Sequence, residues 1–95
     1  MTVRNLTIDD FTSWLDCACE VTAPDGTVTM TLVGVAPIPH AQRDGGGFRL
    51  ELEGPAEPIL AQSIMTVSGP DGSHDIFVVP IASDARATRY EAIFY

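Results

Sequence analysis

Four side chains in this sequence are soft enough to hold a transition metal: Cys17, Cys19, His40 and His74. A zinc site is normally built from closely paired cysteines and closely paired histidines, each pair a few residues apart. Cys-x-Cys with two histidines scattered along the chain does not follow that pattern, so no metal ligand is assigned. Asp71, Gly72, Asp75 and Asp84 invite calcium instead. A calcium loop of the EF-hand type needs oxygen ligands alternating over about twelve residues and closing on Glu. Gly69-Pro70-Asp71-Gly72 is ordinary turn chemistry: Pro presets φ and Gly accepts positive φ.

Nucleophilic catalysis lacks a constellation. Ser13, Ser63, Ser68, Ser73 and Ser83 fall in helix or turn contexts, and no Gly-x-Ser-x-Gly elbow precedes a helix. Asp71, His74 and Asp75 are close in sequence, which says nothing about geometry. Gly45-Gly46-Gly47 lacks the Lys-Ser/Thr and the following helix of a phosphate loop. No catalytic, cofactor-binding or metal residue is therefore assigned, no cofactor is expected, and the expectation is a chain that is not an enzyme. What is left for function is contact. The loop from Pro37 to Gly47 is long enough to be a contact surface, and Trp14, Tyr90 and Tyr95 are the aromatics a peptide or sugar site would use.

Ninety-five residues make a single domain, 1–95. Hydrophobic residues are 45% and charged residues 19%, a balance that folds rather than staying disordered. Thirteen acids face five arginines and no lysine, for a net charge of −8. That field repels a phosphate backbone and an anionic membrane surface, so neither nucleic acid nor membrane is expected as a partner. It suits solubility and admits a basic partner. No segment approaches the roughly 20 apolar residues of a membrane helix, and Met1–Asp10 has no apolar core or cleavage site of a signal peptide. Two cysteines two residues apart are a poor match to disulfide geometry. They read as free thiols in a reducing, cytoplasmic setting.

The elements that must position any site are mostly strands. Residues 6–15 predict a short helix, with Thr7 as cap, Asp10 reaching back to it, and Leu6 and Phe11 at staple spacing. Phe11, Trp14 and Leu15 share its apolar face, which must lie on one end of a sheet or barrel. Strands are expected over 17–23, 27–35, 48–53, 63–68, 75–81 and 89–95. Val28, Met30 and Leu32 face one way against Thr27, Thr29 and Thr31. Phe48, Leu50 and Leu52 face inward against solvated Arg49, Glu51 and Glu53. Gly54-Pro55 is expected to end its strand, and Ile59 and Leu60 to plug the core. The run 75–81 is apolar on both faces, so it is expected to be central or covered on both sides, with pairing stopping at Pro80. The fold class is mainly β: a small antiparallel sandwich or barrel of about six strands with one short N-terminal helix. No repeat at a solenoid period is visible.

One set of residues is familiar. Phe48-x-Leu50-x-Leu52-x-Gly54-Pro55, Leu60-x-Gln62, Asp75-Ile76-Phe77-x-Val79-Pro80-Ile81, Asp84 and Tyr90-Glu91-Ala92-x-Phe94 resemble an uncharacterised bacterial family of β domains of this length. The Leu-Thr-x-x-x-Phe start and the strand ending in Pro37 fit it too. Ser63 departs from it, where the family tends to have Gly. The resemblance implies no catalytic residue and no cofactor, and an accessory of a phage-tail-like assembly. The expected function is a non-enzymatic structural or protein-interaction module working by sheet-edge pairing or by docking of the 37–47 loop. Its partner would be another protein or a second copy. A small peptide- or sugar-binding domain is the alternative.

Overall fold

The computed structural model describes residues 8–38, 47–70 and 72–94. Side chains that alternate apolar and polar make a half-buried strand, and that alternation builds most of the molecule. A single helical turn, α1 (Asp9–Thr12), is followed by β1 (Ala18–Ala23), β2 (Gly26–Ile38), β3 (Gly47–Pro55), β4 (Ser63–Gly69), β5 (Gly72–Ser83) and β6 (Ala87–Phe94). All neighbouring strands are antiparallel. They close into a barrel in the order β1-β2-β3-β6-β5-β4. Of the sandwich and the barrel that the pattern allows, the chain forms the barrel. Each described strand has a neighbour on both sides, so no edge is left open.

The interior is filled by the inward residues of all six strands, Val21, Met30, Leu52, Met65, Val78 and Tyr90 among them. At one mouth α1 acts as the plug. Phe11 and Trp14 are buried, pack edge to face, and meet Phe48, Phe94 and His74. Asp16 leaves the turn at φ 65°, a left-handed conformation that Asp tolerates. Its N–H bonds Leu32 O at 2.7 Å, which steers the chain into β1. At the other mouth the strand order sets the path. β3 and β4 lie opposite each other in the ring, so residues 56–62 must cross the opening. Leu60 is buried there, and its N–H donates to the Tyr90 hydroxyl at 3.0 Å inside the barrel.

The barrel has an internal two-fold. Val21-Thr-Ala-Pro-Asp-Gly26 and Val67-Ser-Gly-Pro-Asp-Gly72 make equivalent hairpins, pairing Ala23 with Gly26 and Gly69 with Gly72. Arg49-Leu-Glu-Leu52 and Arg89-Tyr-Glu-Ala92 are equivalent stretches of β3 and β6. The halves then meet on themselves. Val21 pairs with Val67, and Glu51 with Glu91, each residue facing its own counterpart. Both halves carry a bulge late in their second strand, between Leu32 and Gly34 and between Pro80 and Ala82. The chain is thus two three-strand meanders joined by the 56–62 crossing.

Several expectations need correction. The helix is one turn with Ile8 at its cap position and no side-chain cap. Thr7 and Leu6 lie outside the described residues. With so short a helix, Leu15 turns outward and is 42% exposed. Gly54 and Pro55 are the last two residues of β3 rather than the residues after it, since both still pair with β6. A Cβ on Gly54 would stand 3.2 Å from Met30 Cγ and from Tyr90 Cε1, so glycine there leaves room for the tyrosine ring. Pairing does not stop at Pro80 but shifts by a bulge and runs on to Ser83. Leu60 plugs the core, while Ile59 is 49% exposed. β5 is central to its meander but uncovered outside, with Phe77 54% exposed.

Two substitutions test this packing. Tyr90→Phe strands the buried Leu60 N–H, and a loss of about 1–3 kcal/mol in urea unfolding is expected. Gly69→Ala would place a Cβ 2.5 Å from Trp14 Cε3, so the indole must move. Trp14 is the single tryptophan. Its emission is expected to shift red, with a stability loss of about 1–3 kcal/mol. An unchanged spectrum and melting curve would refute the contact.

Candidate functional site

Among the described residues, those singled out for chemistry do not converge. Cys19 points into the core, where burial and, next, the neighbouring Cys17 push its thiol above the ordinary value. It is therefore a protonated, inert core group. Cys17 is half-buried and its thiol donates to Ser13 O; both cysteines are free thiols. His74 is half-buried, stacked on Trp14 with centroids 5.8 Å apart. His40 and Asp71 lie outside the described residues. Asp75 accepts from Thr66 Oγ1 at 2.7 Å on the outer face. Asp84 belongs to the 84–87 turn between β5 and β6, where it accepts the N–H groups of Arg86 and Ala87. Among the described residues no three His, Cys, Asp or Glu side chains are grouped to hold a metal ion.

Two of the three aromatics expected for a peptide or sugar site are enclosed. Trp14 and Tyr90 are the largest fully buried side chains, so neither offers a face to a sugar or peptide. Tyr95 lies outside the described residues. The barrel interior offers no alternative, because its void is about 10 Å³, on the order of one water molecule. The Pro37–Gly47 loop is shorter than expected. Pro37 and Ile38 belong to β2 and Gly47 to β3, while 39–46 lie outside the described residues.

Three features of the outer surface stand out. The first is an ion-pair cluster on the β3–β6 seam. Arg49 Nε donates to Glu91 Oε2 at 2.7 Å and its Nη2 to Glu51 Oε1 at 3.2 Å. Arg89 Nη1 donates to Glu51 Oε2 at 3.0 Å and its Nε to Glu53 Oε2 at 3.1 Å. The bond to Glu91 is the main cause of the raised Arg49 pKa. Arg49, Glu51 and Glu53, expected to be solvated, are held with Arg89 and Glu91 in a half-buried network. The second is an open polar groove of about 320 Å³ beside the 84–87 turn, walled by Glu53, Asp84, Arg86 and Arg89. Its Arg89 is already committed to Glu51 and Glu53, and its Asp84 to backbone.

The third is apolar. Ile64 on β4 is paired with Phe77 on β5, both facing outward. The β5–β6 register that pairs Val79 with Glu91 sets Ile93 beside Phe77. Phe77, Val79, Glu91 and Ile93 line a shallow groove of about 210 Å³. Nothing in the described structure covers this row. Its signal was present in the sequence as the run 75–81, apolar on both faces.

Residues 6–94 match the family described as Domain of unknown function (DUF6916). The chain belongs to that family. It matches no curated protein and no solved structure. The family description assigns no activity, and no described helix is long and apolar enough to cross a membrane.

Asp84 supplies a pH test of the turn beside the polar groove. The N–H groups of Arg86 and then Ala87 hold its carboxyl below the ordinary value of 3.8. A lowered carboxyl favours the fold above its unfolded pKa and loses that contribution as pH falls through the folded one. Asp84→Ala is expected to melt below wild type at about pH 7, with the gap narrowing below about pH 4. A gap of constant size across that range would rule out the carboxylate as its source.

Proposed function

We propose that this chain is a non-enzymatic protein-interaction module whose docking surface is the outer face of β4, β5 and β6. One contrast carries the proposal: two rows of side chains at equivalent positions of the same barrel differ in kind. In the first half the row is Ala18, Thr31 and Glu53, paired side by side. In the second half the same positions hold Ile64, Phe77 and Ile93, at 66%, 54% and 37% exposure. The first half folds with small or polar groups there, so the fold does not require apolar ones. Exposed apolar groups standing together mark contact surfaces, and burying them against a partner is favourable.

The closed barrel supports the same choice by elimination. Sheet-edge pairing, one of the two expected contact modes, needs an open strand, and every described strand is paired on both sides. The other mode, docking of the 37–47 loop, falls mainly on residues outside those described. A face is what the described barrel has to offer. An accessory role in a phage-tail-like assembly, implied by the resemblance, is the setting we favour for such a module. Two free thiols support a reducing compartment, the cytoplasm, as that setting.

A triple variant, Ile64→Thr, Phe77→Thr, Ile93→Thr, keeps β-branched residues on the strands. It is expected to fold and to melt close to wild type, since surface changes usually cost within about 0.5 kcal/mol each. Partners recovered with the tagged chain from its native cell should be lost with this variant. They should be kept with the matched first-half variant Ala18→Ser, Thr31→Ser. Recovery of the same partners by the triple variant, or turnover by the purified chain, would overturn the proposal.

A further inference from the structure

The groove over Phe77 carries information about its occupant as well as its existence. Along β5 the outward residues are Asp75, Phe77 and Val79, and Glu91 stands beside Val79 on the next strand. Asp75 therefore precedes Phe77 along β5, and Glu91 lines the groove beside Val79, two positions beyond Phe77. Each carboxylate is held in place by one bond and has a second oxygen to offer. Asp75 accepts Thr66 through Oδ1, and Glu91 accepts Arg49 through Oε2. Among the described residues, Asp75 Oδ2 and Glu91 Oε1 have no hydrogen-bond partner.

Among the described residues, the arginines beside this face are spent. Arg49 and Arg89 are both bonded to glutamates of the seam. The chain has no lysine and a net charge of −8. A second copy would bring the same surplus of acid to the face, so like charge would oppose the apolar gain. A cationic partner gains on both counts.

We propose that this face binds a basic protein segment in extended form, with an apolar residue seated over Phe77 and a cationic side chain two positions to either side. This rests on the docking surface assigned above. The spacing comes from the strand itself. Same-face residues recur every second position at about 3.3 Å per residue, so Asp75 and Val79 are about 13 Å apart along β5. An extended ligand with cations four positions apart matches that separation, and the shallow groove takes the apolar side chain between them. Hydrophobic contact supplies the anchor, and the two carboxylates select the charge.

The test uses synthetic peptides and the whole chain, isotopically labelled for amide NMR. One peptide repeats Arg-Thr-Leu-Thr three times; a second has Glu in place of Arg; a third has Ser in place of Leu. The first is expected to shift amides of residues 75–79 and 91–93 at low salt. Binding should weaken at least fivefold in about 0.3 M salt, in Asp75→Asn and in Phe77→Thr, with the second and third peptides at least fivefold weaker. Asp75→Asn keeps an acceptor for Thr66, so its fold is checked by the unchanged remainder of the spectrum. Equal binding of the Glu peptide would overturn the charge selection and leave the docking surface standing. A dimer seen by light scattering and abolished by Phe77→Thr would overturn the basic occupant in favour of a second copy, again with the surface intact. No shift on this face with any peptide, in a monomeric chain, would overturn the proposal. The docking surface itself would fall only if the triple variant also kept its cellular partners.

Discussion

Glu51 and Glu91 face each other across the β3–β6 pairing, where like charges directly opposite would destabilise a sheet. Arg49 and Arg89 resolve the conflict by bracketing the pair, each reaching the glutamate of the opposite strand. This seam is one of two that join the meanders; the other is the Val21–Val67 pairing of β1 with β4. Closure follows from the two together, and closure decides much else. It removes the edges of the described strands and encloses the aromatic plug. Each surface ion pair contributes little alone. Their importance here is positional, since they let two halves with the same Arg-x-Glu pattern meet face to face.

The two-fold also shows what each half has changed. Leu50 in the first half corresponds to Tyr90 in the second, and the tyrosine hydroxyl ties down the segment crossing the barrel mouth. Val28 corresponds to His74, which stacks on the Trp14 plug. The hairpin glycine at Gly69, where the first half has Ala23, lets the indole lie against backbone. These three interior differences serve the two ends of the barrel, which symmetry alone would leave open. The exterior difference, Ile64-Phe77-Ile93 against Ala18-Thr31-Glu53, serves neither end; in the first half Glu53 bonds Arg89 of the seam, a role its apolar counterpart Ile93 does not share.

Much of the barrel is legible in the sequence because strand periodicity is local. Val28, Met30 and Leu32, or Phe48, Leu50 and Leu52, declare their inward face within a few residues. What local patterns miss are features set by distant partners. Gly54 reads as a terminator, yet its role is to make room for Tyr90, far away in the chain. Pro80 reads as an end of pairing, yet a bulge absorbs it. Arg49, Glu51 and Glu53 read as solvated until β6 brings Arg89 and Glu91 alongside. The repeat is faint because the halves share little beyond the Pro-Asp-Gly hairpins and one Arg-x-Glu. The apolar outer face of 75–81 is visible in sequence; that nothing in the described structure covers it is visible only once the strand order is known.

The acidity and the exposed apolar row are best understood together. A row of isoleucine and phenylalanine in water invites association with any similar surface, including its own copies. A net charge of −8 on a chain this small raises the cost of that self-association, and the carboxylates flanking Phe77 concentrate the effect where it is needed. The same charges lower the cost for a partner of opposite sign. In the proposed docking, repulsion of the wrong partner and attraction of the right one come from the same few atoms, which is how charged groups add specificity to an apolar contact. A neutral barrel with this row would be sticky; an acidic one without it would have nothing to hold a partner in place.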